Sequence, residues 1–381
     1  MRYAENSSVL EPNGRPHLMS RLGRSYQYAV AGVLLSLLLL AGLTTAPAPA
    51  RAQEPRIVDV GVTFQVKNVN RSKLPCGADG SDVTLVGRMV GPASVLANQD
   101  GHAPVTLYSH EFSFGKWFWH FPDPTYDYAT LMAGQGHVSI LVDRIGYGDS
   151  THPNGFQTCM GAAADQINQI VTQVRAGTYQ TDSGAPRSFD KVVLAGHSGG
   201  AMASEIAAYS FGGVDGLVVF AHANQGPTLR GVNEGLVQGG ICLLGGQPAG
   251  PGLPGGYAYY GQTADDWQRN FFAGADPRVV AAATPMRHRD PCGNAFSFAA
   301  GLLPNGANLR QITVPVLLLY GLSDALYDQP AAGEAEKRLF APNPDVTLKF
   351  FPNSGHALAL QHTAPDVRAT VSGWLTAHGL R

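Results

Sequence analysis

Apolar positions recur along this chain with different spacings, and each change of spacing marks an element. Val58–Val69 and Asp82–Val90 carry β-branched residues with apolar and polar positions partly alternating, which predicts strands with one covered face. Asn70–Ser81 between them is a polar, glycine-containing loop. Farther on the runs become short and continuous: Val105–Ser109, Val138–Val142, Lys191–Ala195, Gly216–Ala221, Pro315–Tyr320 and Val346–Phe351. Such runs predict strands covered on both faces. Ile167, Ile170, Val171 and Val174 lie at helical spacing within a helix expected over Ala162–Arg175, ending at Gly177. Ala201–Tyr209 is helix-competent, and a closing helix is expected from about Pro365 to Ala377. Strands alternating with helices predict an α/β fold: a mainly parallel central sheet flanked by helices, with the first two strands as an antiparallel edge.

One segment breaks the alternation. Ala223 to about Gln311 is rich in Gly, Pro and aromatics: Tyr257, Tyr259, Tyr260, Trp267, Phe271, Phe272, Phe296 and Phe298. A structureless loop of that length does not suit a compact domain. The expectation is a partly helical cap or lid inserted over the active site, with Trp267 shaping substrate preference. The domain reading is therefore 1–52 as a signal peptide, 53–222 as the first part of the core, 223–311 as the cap and 312–381 as the second part.

The N-terminus supports the first of these. Arg21 and Arg24 precede an uncharged apolar run, Ala29–Leu43, and then small residues and prolines up to Ala52. That is the layout of a secretory signal, and the run is shorter than a spanning helix needs. The chain is thus expected to be secreted, extracellular or periplasmic, with no stable membrane span after cleavage. An uncleaved anchor is the alternative. The net charge of the 381-residue chain is −2. Removing residues 1–52 leaves 26 − 5 = 21 basic and 28 − 2 = 26 acidic residues, or −5. Nothing in that balance points to nucleic acid or an anionic surface. Export also frames the four cysteines as two disulfides. Cys242 with Cys292 is the preferred pair, leaving Cys76 with Cys159.

The chemistry centres on Gly196-His197-Ser198-Gly199-Gly200, a G-x-S-x-G sequence between a strand and a helix. That context lifts a serine hydroxyl above a sheet end. A serine needs a base, and the base needs an orienting acid. Asp324 directly follows the strand ending at Tyr320, and His356 directly follows the strand ending at Phe351. Asp328 is the fallback acid. The order Ser198, Asp324, His356 has gaps of 324 − 198 = 126 and 356 − 324 = 32 residues. For the oxyanion hole, the backbone N–H groups of Gly199 and of Phe112, in His110-Glu111-Phe112, are the candidates, with Glu111 next. His197 is expected to point away from the substrate.

These pieces, with Asp143-Arg144-x-Gly146-x-Gly148-x-Ser150, resemble the α/β-hydrolase fold superfamily from about Val58 to the C-terminus. Many of its members carry His-Gly after the third strand; here the pair is His110-Glu111. Asp143 and Arg144 read as a structural pair that fixes its loop. The resemblance implies a secreted serine hydrolase of esterase or lipase type. It would cleave a small-molecule carboxylic ester, apolar or aromatic, through an acyl-enzyme, with no metal or organic cofactor. Peptidase, thioesterase, lactonase or perhydrolase activity with the same triad is the alternative, and a non-catalytic binding protein on this scaffold a further one.

Overall fold

The computed structural model describes residues 55–98 and 102–381, so the signal-peptide reading of 1–52 lies outside the described residues. The strands are β1 (Ile57–Lys67), β2 (Asp82–Pro92), β3 (Pro104–Ser109), β4 (Ser139–Val142), β5 (Gln180–Thr181), β6 (Lys191–His197), β7 (Gly216–Phe220), β8 (Tyr257–Ala258), β9 (Asp290–Pro291), β10 (Val316–Gly321) and β11 (Val346–Phe351). Nine of them form one sheet in the order β11-β10-β7-β6-β3-β4-β2-β1-β5. From β11 to β4 every neighbour is parallel. From β4 to β5 every neighbour is antiparallel.

The two spacings in the sequence follow from this division. In β1, Val60, Val62, Phe64 and Val66 are buried and their neighbours are not. Every residue of β10 is buried, because helices cover both faces there. Each fully buried leucine of β10 contributes about 2 kcal/mol by leaving water.

The helices are α1 (Ala93–Ala97), α2 (Tyr128–Gly134), α3 (Met160–Ala176), α4 (Gly199–Phe211), α5 (Leu229–Leu243), α6 (Ala264–Phe271), α7 (Pro277–Ala283), α8 (Cys292–Asn308), α9 (Ala331–Leu339) and α10 (Ala364–Ala377). Gly177, at φ 66°, closes α3. The sequence reading did not find α1, α2 or α9. The side chain of Asp127 starts α2 by accepting from the N–H of Thr130, a short-range cap that the apolar pattern does not reveal.

Residues between β7 and β10 form α5 to α8 and the small β8–β9 pair. Disulfide Cys242–Cys292 joins the end of α5 to the start of α8, and Cys76–Cys159 ties the β1–β2 loop to the start of α3. Both pairs are the expected ones. Asp290 binds this segment to the loops below it. It accepts from the N–H of Ser113 at 2.6 Å, the hydroxyl of Tyr147 at 2.9 Å and the amide of Gln238 at 2.8 Å. Burial pushes its pKa up to about 6.

A second polar cluster lies under α8. Glu205 accepts from Asn305 at 2.6 Å, and Glu336 accepts from the backbone and side chain of Asn224 at 2.6 and 2.7 Å. All four residues are buried. Burial raises Glu336 to about 7 and Glu205 well above the ordinary carboxylate value.

Candidate active site

The parallel strands end on one edge, and the loops leaving that edge carry the residues with chemistry. Ser198 stands between β6 and α4 at φ 49° and ψ −114°. A non-glycine residue holds such a backbone only when its surroundings enforce it. Two glycines do so here. A Cβ at Gly196 would lie 2.4 Å from the Ala201 Cα, and one at Gly200 would lie 2.4 Å from the carbonyl oxygens of Ser109 and His110. The turn therefore packs against β3 with no room for side chains, and the N–H of Ser198 donates to the Phe220 carbonyl at 2.8 Å.

Asp324 follows β10. One carboxylate oxygen accepts from the N–H groups of Leu326 and Tyr327 at 2.8 and 3.3 Å; the other meets Nδ1 of His356 at 2.7 Å. His356 pairs with Asp324 and not with the fallback Asp328. Its ring is fully buried between Tyr327, stacked at 6.0 Å, and Phe271, tilted at 5.7 Å. The loop that carries it is bonded to the end of α6 and the segment after it: the N–H of Gly355 donates to Ala273 and that of Ala357 to Phe271.

Nε2 of His356, the nitrogen a serine base must offer, has no hydrogen-bond partner and faces Glu111 Oε2 at 3.2 Å rather than bonding Ser198. The other oxygen of Glu111 lies 3.0 Å from Nδ1 of His197, whose Nε2 donates to the His356 carbonyl oxygen at 2.8 Å. His197 thus turns away from the substrate space, as expected, but it also braces the base. Both Glu111 contacts are at ion-pair distance without hydrogen-bond alignment. Burial of His356 works against its charge, yet Asp324 and Glu111 outweigh burial and lift its pKa to about 10. Burial likewise works against a charged Glu111, but His197 and His356 hold it below the ordinary carboxylate value.

Glu111, His197 and His356 offer ligand atoms within 4.8 Å of one another, a spacing that a metal ion could use. Charge pairing accounts for the cluster without one: each carboxylate oxygen already faces one ring nitrogen. The Glu111 side chain was not among the residues that sequence reasoning placed in the site. The one signal for it was a side chain standing where the resembling proteins have glycine.

Gly199 opens α4, so its N–H has no partner within the helix. The Phe112 ring lies against Gly199, 3.4 Å from where a Cβ would stand, and edge-on to Phe298 at 5.2 Å. Asp143 fixes its loop, but through Lys116 and not through Arg144. It accepts from the Lys116 N–H at 2.7 Å, from Lys116 Nζ at 2.6 Å and from the Asp149 N–H at 3.0 Å. Arg144 instead lies over the rings of Phe112 and Tyr147.

A cavity of about 280 Å³ opens above Ser198 and is also lined by Glu111 and Phe112. Its remaining wall is mostly apolar and comes largely from α5 and α8, with Val232, Leu236, Phe298 and Leu302 prominent. Leu236 is 70 % exposed as well, so the mouth opens beside α5. Trp267 does not line the cavity. It is fully buried against Phe114, Phe271 and Phe272, which corrects its expected role in substrate preference.

Residues 102–370 match the model of the Alpha/beta hydrolase family. No curated protein matches the chain. Among solved structures, a thermophilic esterase from Thermogutta terrifontis is 19% identical with a TM-score of 0.58; the match covers 83% of this chain and 99% of that one. A monoacylglycerol lipase from Paleococcus ferrophilus is 18% identical at TM-score 0.54, over 73% and 96% of the two chains. A bromoperoxidase from Bacillus anthracis is 13% identical at TM-score 0.57, over 82% and 99%. Likeness at this level speaks to the fold alone, and the fold hosts several chemistries.

Proposed function

Since the chain belongs to the alpha/beta hydrolase family, we propose that it is a serine hydrolase that cleaves carboxylic esters with apolar acyl groups. The observation that carries this reading is the strained Ser198, opening into an apolar cavity at the strand edge where Asp324 holds His356. In the proposed reaction Ser198 Oγ attacks the ester carbonyl and its proton passes to His356 Nε2. Asp324 holds the ring by Nδ1 and stabilises its charge. The N–H groups of Gly199 and Phe112 receive the oxyanion. The tetrahedral adduct expels the alcohol, which takes the proton from His356 and leaves an acyl-Ser198. Water, deprotonated by His356, then attacks the acyl carbon, and the adduct releases the acid as Ser198 Oγ takes that proton back from the ring.

Residues 223–311 act as the cap, since α5 and α8 supply most of the apolar wall. Export fits the two disulfides and the basic, apolar and small-residue pattern of the N-terminus. Among the described residues no helix is long and apolar enough to cross a membrane.

The test is labelling by a fluorophosphonate, mapped by peptide mass. Label on Ser198 that is lost in His356→Ala supports the reading; folded wild-type protein that takes no label overturns it. A panel of p-nitrophenyl esters of graded chain length, run beside aminoacyl amides, fixes the bond. Preference for amides overturns the ester assignment and favours peptidase chemistry on the same residues.

A further inference from the structure

The acid at position 111 has no part in the reaction just described, yet it touches the nitrogen on which that reaction turns. We propose that Glu111 is a positioning residue that holds the His356 ring charged in the resting protein. It would thereby set the pH at which the ring becomes a competent base for Ser198. The inference rests on the serine-hydrolase reading above.

The argument begins with donors and acceptors. Nδ1 of His356 faces the Asp324 carboxylate and Nε2 faces the Glu111 carboxylate, at 2.7 and 3.2 Å. Nε2 of His197 faces a carbonyl oxygen, and its Nδ1 faces the other oxygen of Glu111. Every ring nitrogen in the cluster therefore looks at an oxygen that can only accept. A neutral imidazole has one N–H and one lone pair. On a neutral His356 that donates to Asp324, the lone pair at Nε2 would oppose the lone pairs of Glu111. The contact becomes attractive only when Nε2 carries a proton. With water excluded, the attraction is much stronger than it would be at a surface.

The same contact bears on Ser198. A ring charged at Nε2 cannot accept the serine proton; it must first lose its own. Glu111 lines the cavity with Ser198, so the carboxylate that faces Nε2 also borders the space of the nucleophile. The poor alignment of the Nε2 contact means that charge, not a directed hydrogen bond, holds the ring there. The ring is then free to leave Glu111 for Ser198 once the proton has gone.

The surroundings of His356 leave few other controls. Asp324 comes from the loop after β10, Glu111 from the loop after β3 and His197 from β6, with its ring edge-on at 5.1 Å. Tyr327 stacks on the ring and Phe271 lies tilted against it. Tyr260 lines the cavity beside Glu111. His222, after β7, is held down to about 3 by burial and stays neutral. Among the described residues, no lysine or arginine forms an ion pair with Glu111.

The experiment is the pH profile of kcat/KM for wild type, E111Q and H197N, with fluorophosphonate labelling beside it. The acid limb of this profile reports the base in the free protein. In E111Q the limb moves down by at least one pH unit, and kcat/KM at pH 7 rises about tenfold while KM changes little. In H197N the limb moves up, because Glu111 then faces His356 alone. If E111Q does not fold, H197N carries the test alone. If the folded variants keep the wild-type limb and differ from wild type by one factor at every pH, Glu111 is structural and the inference is overturned. Failure of wild-type Ser198 to take the label is a different result: it removes the hydrolase reading itself.

Discussion

Two clusters of buried acids settle their charge in opposite ways. Glu111 and Asp324 meet histidines, so Glu111 stays below its ordinary pKa and His356 rises to about 10. Glu205 and Glu336 meet amides and each other, and both rise; His222 lies near Glu205 but burial keeps it neutral, so it supplies no charge. Burial works the same way on both pairs; the partner decides the outcome. An imidazole can supply a charge and a carboxamide cannot. The first cluster is therefore a charged pairing of acid and imidazole, and the second a store of protonated acids.

The comparison breaks most visibly at Asp324. Asp324→Asn leaves the shape of the pair but takes away the charge behind the base, and kcat should fall about 10⁴-fold. Steady-state assay of the purified variant checks this; a loss under tenfold would mean that Asp324 is not the orienting acid. Glu205→Gln should act in the opposite sense, on stability and not on rate. In the folded protein Glu205 holds a proton that the unfolded chain releases above about pH 4.5. That retention lowers wild-type stability as pH rises, and glutamine removes the effect. The variant should match wild type near pH 4 and gain up to about 1.4 kcal/mol per pH unit above it. Thermal melts from pH 4 to 8 measure the gap; parallel curves would show that Glu205 ionises freely in the fold. The smallest effect belongs to His222. It sits between the clusters, 3.5 Å from Glu205, and is already neutral. His222→Gln should move the acid limb of the rate profile by less than about 0.3 unit, against the full unit expected of E111Q.

Much of this was legible in the sequence, for identifiable reasons. The serine turn carries its geometry in Gly196 and Gly200, which leave no space for a side chain. Asp324 sits just beyond the unbroken apolar run of β10; His356 follows β11, an edge strand whose run Thr347 and Lys349 interrupt and whose middle is not buried, against the expectation of two covered faces. Other elements carried no such mark. Helix α9 contains Gly333 and follows Pro330, and α2 has only seven residues, too few for a helical period to stand out. Trp267 was misplaced because aromatic content alone cannot say whether a ring faces a cavity or a core. The Glu111 cluster is tertiary: its residues leave β3, β6 and β11, and nothing local to any one strand announces the other two.

The main-chain bonds from Gly355 and Ala357 to residues 273 and 271, joined by one from His362 to Gly274, splint the base loop against the end of α6 and the stretch that follows it. The region between β7 and β10 is thus not a detachable module. Grafting a different insert there to accept a new acyl group would strip the splint from the histidine, unless the tract from 271 to 274 travelled with the scaffold rather than with the graft.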